Sequence, residues 1–190
     1  MRVKGVRKPA DYPSEYGGPT DPAIVDMFAT LFPGVADPRI DEGHLGLAVA
    51  AYNPRLALQL AALSKFLAVD AGWSKRADLR ELAIQTANIN FRSDYSFETR
   101  RPIAKAMGIS DEQLDLLAEW QTSDLFDAEQ KLVIEYSEAV ASGDVSAALF
   151  ATVVDTYGER GAIEFTSVVA IWSAWAMILN AVRPEGEPAA

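Results

Sequence analysis

Apolar residues recur along most of this chain at helical rather than strand spacing. Leu79, Leu82, Ala83 and Thr86 fall at i, i+3, i+4 and i+7, which predicts an amphipathic helix over about residues 78–90, packed by that stripe. Glu81, Gln85 and Asn88 follow the same period on another face. Ser93 or Asp94 can cap a second helix that carries Tyr95, Phe97, Arg100 and Ile103 at one-turn spacings and should bend at Pro102 before Gly108 closes it. The two helices meet at a short polar corner, and this stretch alone mixes buried-type residues with chargeable ones.

The remaining pattern is also helical. Thr20 or Asp21 followed by Pro22 starts a helix to about Phe32, and Pro33-Gly34 stops it. Asn53-Pro54 caps a longer one through about Val69, with Leu56, Leu60, Leu63 and Leu67 as its stripe. Ser110-Asp111-Glu112-Gln113 reads as a capping box. Asp127 caps a helix striped by Ala128, Leu132, Val133, Tyr136 and Val140 and stopped by Gly143, and residues 147–157 form a further helix. No stretch alternates as a half-buried strand does, and no Asn-Gly or Asp-Gly hairpin occurs, so the expected fold class is all-α. Residues 1–20 combine Lys4, Arg7 and Lys8 with several prolines and glycines and read as a flexible N-terminal arm. Residues 21–52 form a helical extension, and 53–185 the main helical domain.

Composition narrows the chemistry. With 190 residues and 49% hydrophobic content, the chain suits one well-buried domain. Its net charge of −10 argues against nucleic acid or an anionic membrane surface as a partner, since both call for basic patches. No cysteine is present, which excludes disulfides, thiolate nucleophiles and thiol peroxidase chemistry. The basic N-terminus lacks the apolar run of a secretory signal, so a cytoplasmic location is the expectation. Residues 165–182 carry no charge but include Thr166, Ser167, Ser173 and Asn180, and read as a buried helix rather than a membrane span. Asp111, Glu112, Asp115 and Glu119 read as a solvated helix face rather than a metal site. No other metal or cofactor motif is visible, and none is expected. His44 is the only imidazole, and therefore a candidate for proton transfer or substrate contact, although its place at a loop–helix junction reads first as a surface or capping residue.

The order Arg80-Glu81-Leu82, then Tyr95, Phe97, Pro102-Ile103-Ala104 and Gly108-Ile109-Ser110, resembles the carboxymuconolactone decarboxylase family and its alkylhydroperoxidase D-like redox branch. The likeness continues through Phe126-Asp127-Ala128-Glu129, Gly143-Asp144-Val145-Ser146, Tyr157-Gly158 and Leu179-Asn180-Ala181. It implies an alkylhydroperoxidase D-like helical fold and a trimer or hexamer of identical chains. It also implies a site at the polar corner. Glu81 stands at the family's glutamate position, Ser93 and Ser96 stand where its redox cysteines would be, Tyr95 lies between them, and Arg100 replaces the site histidine.

Imidazole donates and accepts a proton near neutrality, whereas guanidinium, with a pKa above about 12, stays charged and only donates. Glu81 is then the candidate base, with Arg100 holding a carboxylate or enolate and Ser93, Tyr95 and Ser96 as further hydrogen-bond donors. The resemblance implies a cofactor-free lyase or isomerase, decarboxylase-like, on a small and cyclic carboxylated or lactone substrate of the kind met in aromatic catabolism. The alternative is a non-catalytic helical oligomer or ligand-binding protein with a degenerate site, in which Glu81 and Arg100 form an ion pair.

Overall fold

In the computed structural model, residues 3–182 of the chain are described. The first two residues of the arm, and the domain end placed at 185, lie outside them. All regular elements among the described residues are helices: α1 (Pro22–Leu31), α2 (Leu45–Ala50), α3 (Pro54–Lys65), α4 (Ala77–Asn90), α5 (Asp94–Ala106), α6 (Asp111–Asp115), α7 (Ala128–Ser142) and α8 (Ala147–Val182), with short 3-10 and π turns between them. The chain divides into two compact units, residues 3–63 with 178–182, and residues 64–177. The boundary expected between residues 52 and 53 falls inside the first unit.

The caps follow the sequence closely, because a cap is a local contest between a side chain and the first free N–H groups. Asp21 accepts from the Ala23 N–H at 2.9 Å, and Asn53 from Leu56 at 3.2 Å. Ser110 with Gln113, and Asp127 with Gln130, both close reciprocal boxes. Gly143 ends α7 in the left-handed region, at φ +77°. α8 is broken at Gly158, whose φ of +73° is open to glycine at little cost. Pro102 lies inside α5, which continues through it to Ala106.

In the first unit, the arm expected to be flexible is tied down. Val6 is fully buried, its N–H donates to the Ala48 carbonyl at 2.9 Å, and the Arg7 carbonyl accepts from Ile40 at 2.8 Å. Proline and glycine there fold the chain into three one-turn 3-10 helices, Pro9–Asp11, Ser14–Tyr16 and Gly18–Thr20, rather than leaving it loose. Two apolar anchors, Val6 and Tyr12, are enough to dock a segment whose composition alone points to a free tail.

The leucine stripe of α3 is also corrected. Leu56 and Leu63 are exposed, while Ala57 is the residue turned fully inward. Beyond Lys65 the helix widens into a π turn, Phe66–Asp70, closed by the Ala71 N–H donating to the Phe66 carbonyl at 2.9 Å. Leu67, near the start of this turn, is buried, whereas Leu56 and Leu63 are not, and the i→i+5 turn then rotates the residues that follow out of the 3.6-residue period.

The core of the second unit is built on Phe165 of α8. The Trp73 ring stacks on it at 4.0 Å between centroids and nearly parallel, and Tyr136 of α7 lies tilted at 4.8 Å. α8 is the one helix among the described residues long and apolar enough to cross a membrane by length and composition. Its Phe165, Val168, Val169 and Trp172 lie in this core, while Ile163 and Met177 point outward. α4 packs against both α5 and α7, and its residues 81–88 are buried all round. Glu81, Gln85 and Asn88 are therefore as buried as the apolar stripe of Leu79, Leu82 and Ala83.

Candidate functional site

Burying the polar face of α4 obliges each of its groups to find a partner, because an unpaired buried amide or charge costs several kcal/mol. The partners come largely from α5. Gln85 Nε2 donates to the Phe97 carbonyl at 3.0 Å, Asn88 Nδ2 donates to Gln85 Oε1 at 2.9 Å, and the Asn88 carbonyl accepts from the Ser93 N–H at 2.8 Å. The chain turns between the two helices at Arg92, the one non-glycine residue with positive φ (52°) among those described. This turn sets the first residues of α5 against the end of α4.

One turn earlier on α4, Glu81 has no exposed surface, and both of its carboxylate oxygens are held by arginine. Arg100 of α5 approaches with one edge of its guanidinium, Nε to Oε2 and Nη2 to Oε1, each at 2.9 Å. Such a two-bond fork is the strongest geometry open to the pair. Arg80 approaches Oε1 from the other side, through Nε at 3.2 Å and Nη2 at 3.1 Å. Two guanidinium groups thus share one carboxylate, and the three side chains together keep one net positive charge.

Arg100 is not used up by this pairing. Its side chain is 21% exposed, its Nη1 has no hydrogen-bond partner among the described residues, and its guanidinium carbon lies 5.3 Å from the Trp172 ring centre. A guanidinium over an indole face keeps its charge while its orientation is fixed. One edge of Arg100 is closed on Glu81, and the other has no hydrogen-bond partner among the described residues.

Of the remaining candidates, three lie on the second unit with the corner and one lies on the first. Ser93 is buried at the start of α5 and, rather than capping the helix, donates its hydroxyl to Ser96 Oγ at 3.0 Å. Tyr95 is half-buried between them, and its carbonyl accepts from Thr99 at 2.8 Å. His44 belongs to the first unit, where its side chain is 63% exposed and its Nδ1 lies 2.7 Å from Asp41. Two of the four acidic positions at and after α6 are engaged in ion pairs: Arg101 binds Asp111 at 2.9 Å and Asp115 at 2.6 Å, and Lys105 also binds Asp111, while Glu112 and Glu119 are exposed.

Sequence reasoning missed two participants. Arg80 and Glu81 are adjacent in the chain, and side chains at i and i+1 do not normally face each other on a helix. An arginine set between core positions Leu79 and Leu82 is the signal that could have drawn attention to it. Trp172 lay inside an apolar run with nothing to mark it as the ring beneath Arg100.

The serine pair gives a direct check on this geometry. With their hydroxyls 3.0 Å apart, the double substitution Ser93→Cys, Ser96→Cys should form an intrachain disulfide under mild oxidation, read as a loss of two mass units and of both alkylatable thiols. If both thiols stay alkylatable after oxidation, the two side chains do not face each other. Compared with known protein families, curated proteins and solved structures, the chain matches none, so the corner's own geometry is what carries a functional reading.

Proposed function

We propose that this chain is a helical ligand-binding protein of the alkylhydroperoxidase D-like kind, whose polar corner takes a small carboxylated molecule on the open edge of Arg100. The observation that carries this reading is the division of labour at Arg100: one edge bonded twice to Glu81, the other without a partner among the described residues, and the whole group partly exposed over Trp172. A planar guanidinium edge matches a carboxylate in two parallel bonds, and the indole offers apolar surface to the body of the same ligand. The convergence of Glu81 and Arg100, and of Ser93 with Ser96, supports the resemblance, because these are the positions at which it expects a site.

A lyase or isomerase using Glu81 as its base would first have to open at least one of the arginine bonds now holding both oxygens. Ligand binding needs no such opening, and we adopt it for that reason. Arg100 then acts as the anion holder, and Glu81 fixes its angle.

Isothermal titration with benzoate, a carboxylate on an aromatic ring, tests the reading. Saturable binding is expected for the natural chain. Arg100→Leu should weaken it at least tenfold while the helical circular dichroism is kept, since Glu81 retains Arg80 as a partner. Equal binding by the two proteins would remove Arg100 from the site.

A further inference from the structure

Arg80 is half-buried beside this site, and its bonds run away from Arg100 as well as to Glu81. Besides Glu81, its Nη1 donates to two backbone carbonyls: Ala68, in the π turn, and Ser74 at 3.3 Å, in the 3-10 turn Trp73–Lys75. One guanidinium therefore joins the corner to residues 66–75. We propose that Arg80 is the positioning residue of the Arg100 site: it supplies the positive charge that Glu81 would otherwise cancel, and it ties that charge to the 66–75 segment. The inference rests on the reading of Arg100 as an anion holder.

The charge balance is simple. With Arg80 present, one carboxylate faces two guanidinium groups and the corner is positive. Without it, Glu81 and Arg100 neutralise each other, and an incoming carboxylate meets a closed pair. At the low effective dielectric of a mostly buried site, a charge a few ångströms away weighs heavily on an anion's affinity. Lysine at position 80 would keep the charge, but as a compact ammonium without the planar fork that reaches a carboxylate and two carbonyls together.

The segment Arg80 holds carries signs of its own. The π turn is a geometry found mostly at functional positions, and the next turn buries the Ser74 hydroxyl without a partner among the described residues. Its second fixed point is Glu164 of α8, which accepts from the Trp73 N–H at 2.8 Å and from Arg160 Nε at 2.8 Å. Those bonds hold the Glu164 carboxyl below the usual carboxylate range. A stretch with an uncompensated buried hydroxyl and two clamps should loosen when one clamp is removed.

The test compares the natural chain with Arg80→Met and Arg80→Lys, using benzoate titration and amide hydrogen exchange across residues 66–75. Arg80→Met should bind benzoate at least tenfold more weakly, whereas Arg80→Lys should stay within about threefold of the natural chain, following the charge. Both variants should exchange the 66–75 amides at least fivefold faster, following the lost carbonyl bonds. Benzoate affinity in Arg80→Met equal to that of the natural chain, or loss in both variants alike, would overturn the charge role. Unchanged exchange in both would overturn the tie to the segment. If the natural chain itself binds no benzoate, the reading of Arg100 fails, and the exchange comparison without ligand still decides whether Arg80 holds the segment.

Discussion

Glu81→Leu is expected to destabilise the protein by about 3–5 kcal/mol, because it leaves two largely buried guanidinium groups facing each other with no carboxylate between them. For a chain of this size that corresponds to a fall in melting temperature on the order of 10 °C. The asymmetry with its partners is the informative part. Arg100→Leu leaves Glu81 paired with Arg80, and Arg80→Met leaves it paired with Arg100, so either should cost well under half as much. The double change Glu81→Leu, Arg100→Leu should recover part of the loss, since Arg80 keeps its two carbonyl partners. Thermal unfolding of the four variants measures this directly. If Glu81→Leu melts within about 2 °C of the natural chain, the double clamp does not form.

Phe165→Ala should have an effect of similar size by a different cause. The ring is fully buried between the stacked Trp73 and the tilted Tyr136, and its removal leaves a cavity that three aromatic residues, Tyr157 included, cannot close without leaving their own contacts. Truncations of this kind cost about 3–5 kcal/mol. Denaturant titration should show the midpoint falling with little change in slope, and benzoate affinity of the folded fraction should hold, since Phe165 takes no part in the bonding at Arg100. A loss below about 1 kcal/mol would mean that the aromatic stack is not the centre of the core.

What was legible in the sequence was largely what is decided locally. Asp21, Asn53, Ser110 and Asp127 cap as read, because their partners lie two or three residues away. Period alone located α4 and α7 but could not say how many sides of a helix are covered. The polar face of α4 is buried, and the leucines of α3 are not, because which face meets a neighbour is settled by packing between elements far apart in sequence. The π turn added a rotation that no 3.6-residue pattern contains. The arm was misjudged for a related reason: its docking depends on Val6 meeting Ala48, a contact that proline and glycine content does not foretell.

At the corner, the pairing of Glu81 with Arg100 was open to sequence reasoning because both sit on predicted helices at resembled positions. The role of Arg80 was not, since its reach to Ala68 and Ser74 depends on where two irregular turns bring their carbonyls. That difference moves the reading. A lone Glu81–Arg100 pair is either a base beside an anion holder or a neutral structural contact, whereas a second arginine makes the corner a cation with its carboxylate already engaged.

The most direct measurement is a crystal structure of the protein soaked with benzoate. The carboxylate is expected on the Nη1 edge of Arg100 and the ring beside Trp172, with Glu81 still held through Arg100 Nε and Nη2. A structure in which Glu81 has left Arg100 and turned toward the ligand would contradict this and restore the proton-transfer reading, and benzoate bound away from Arg100 would contradict both.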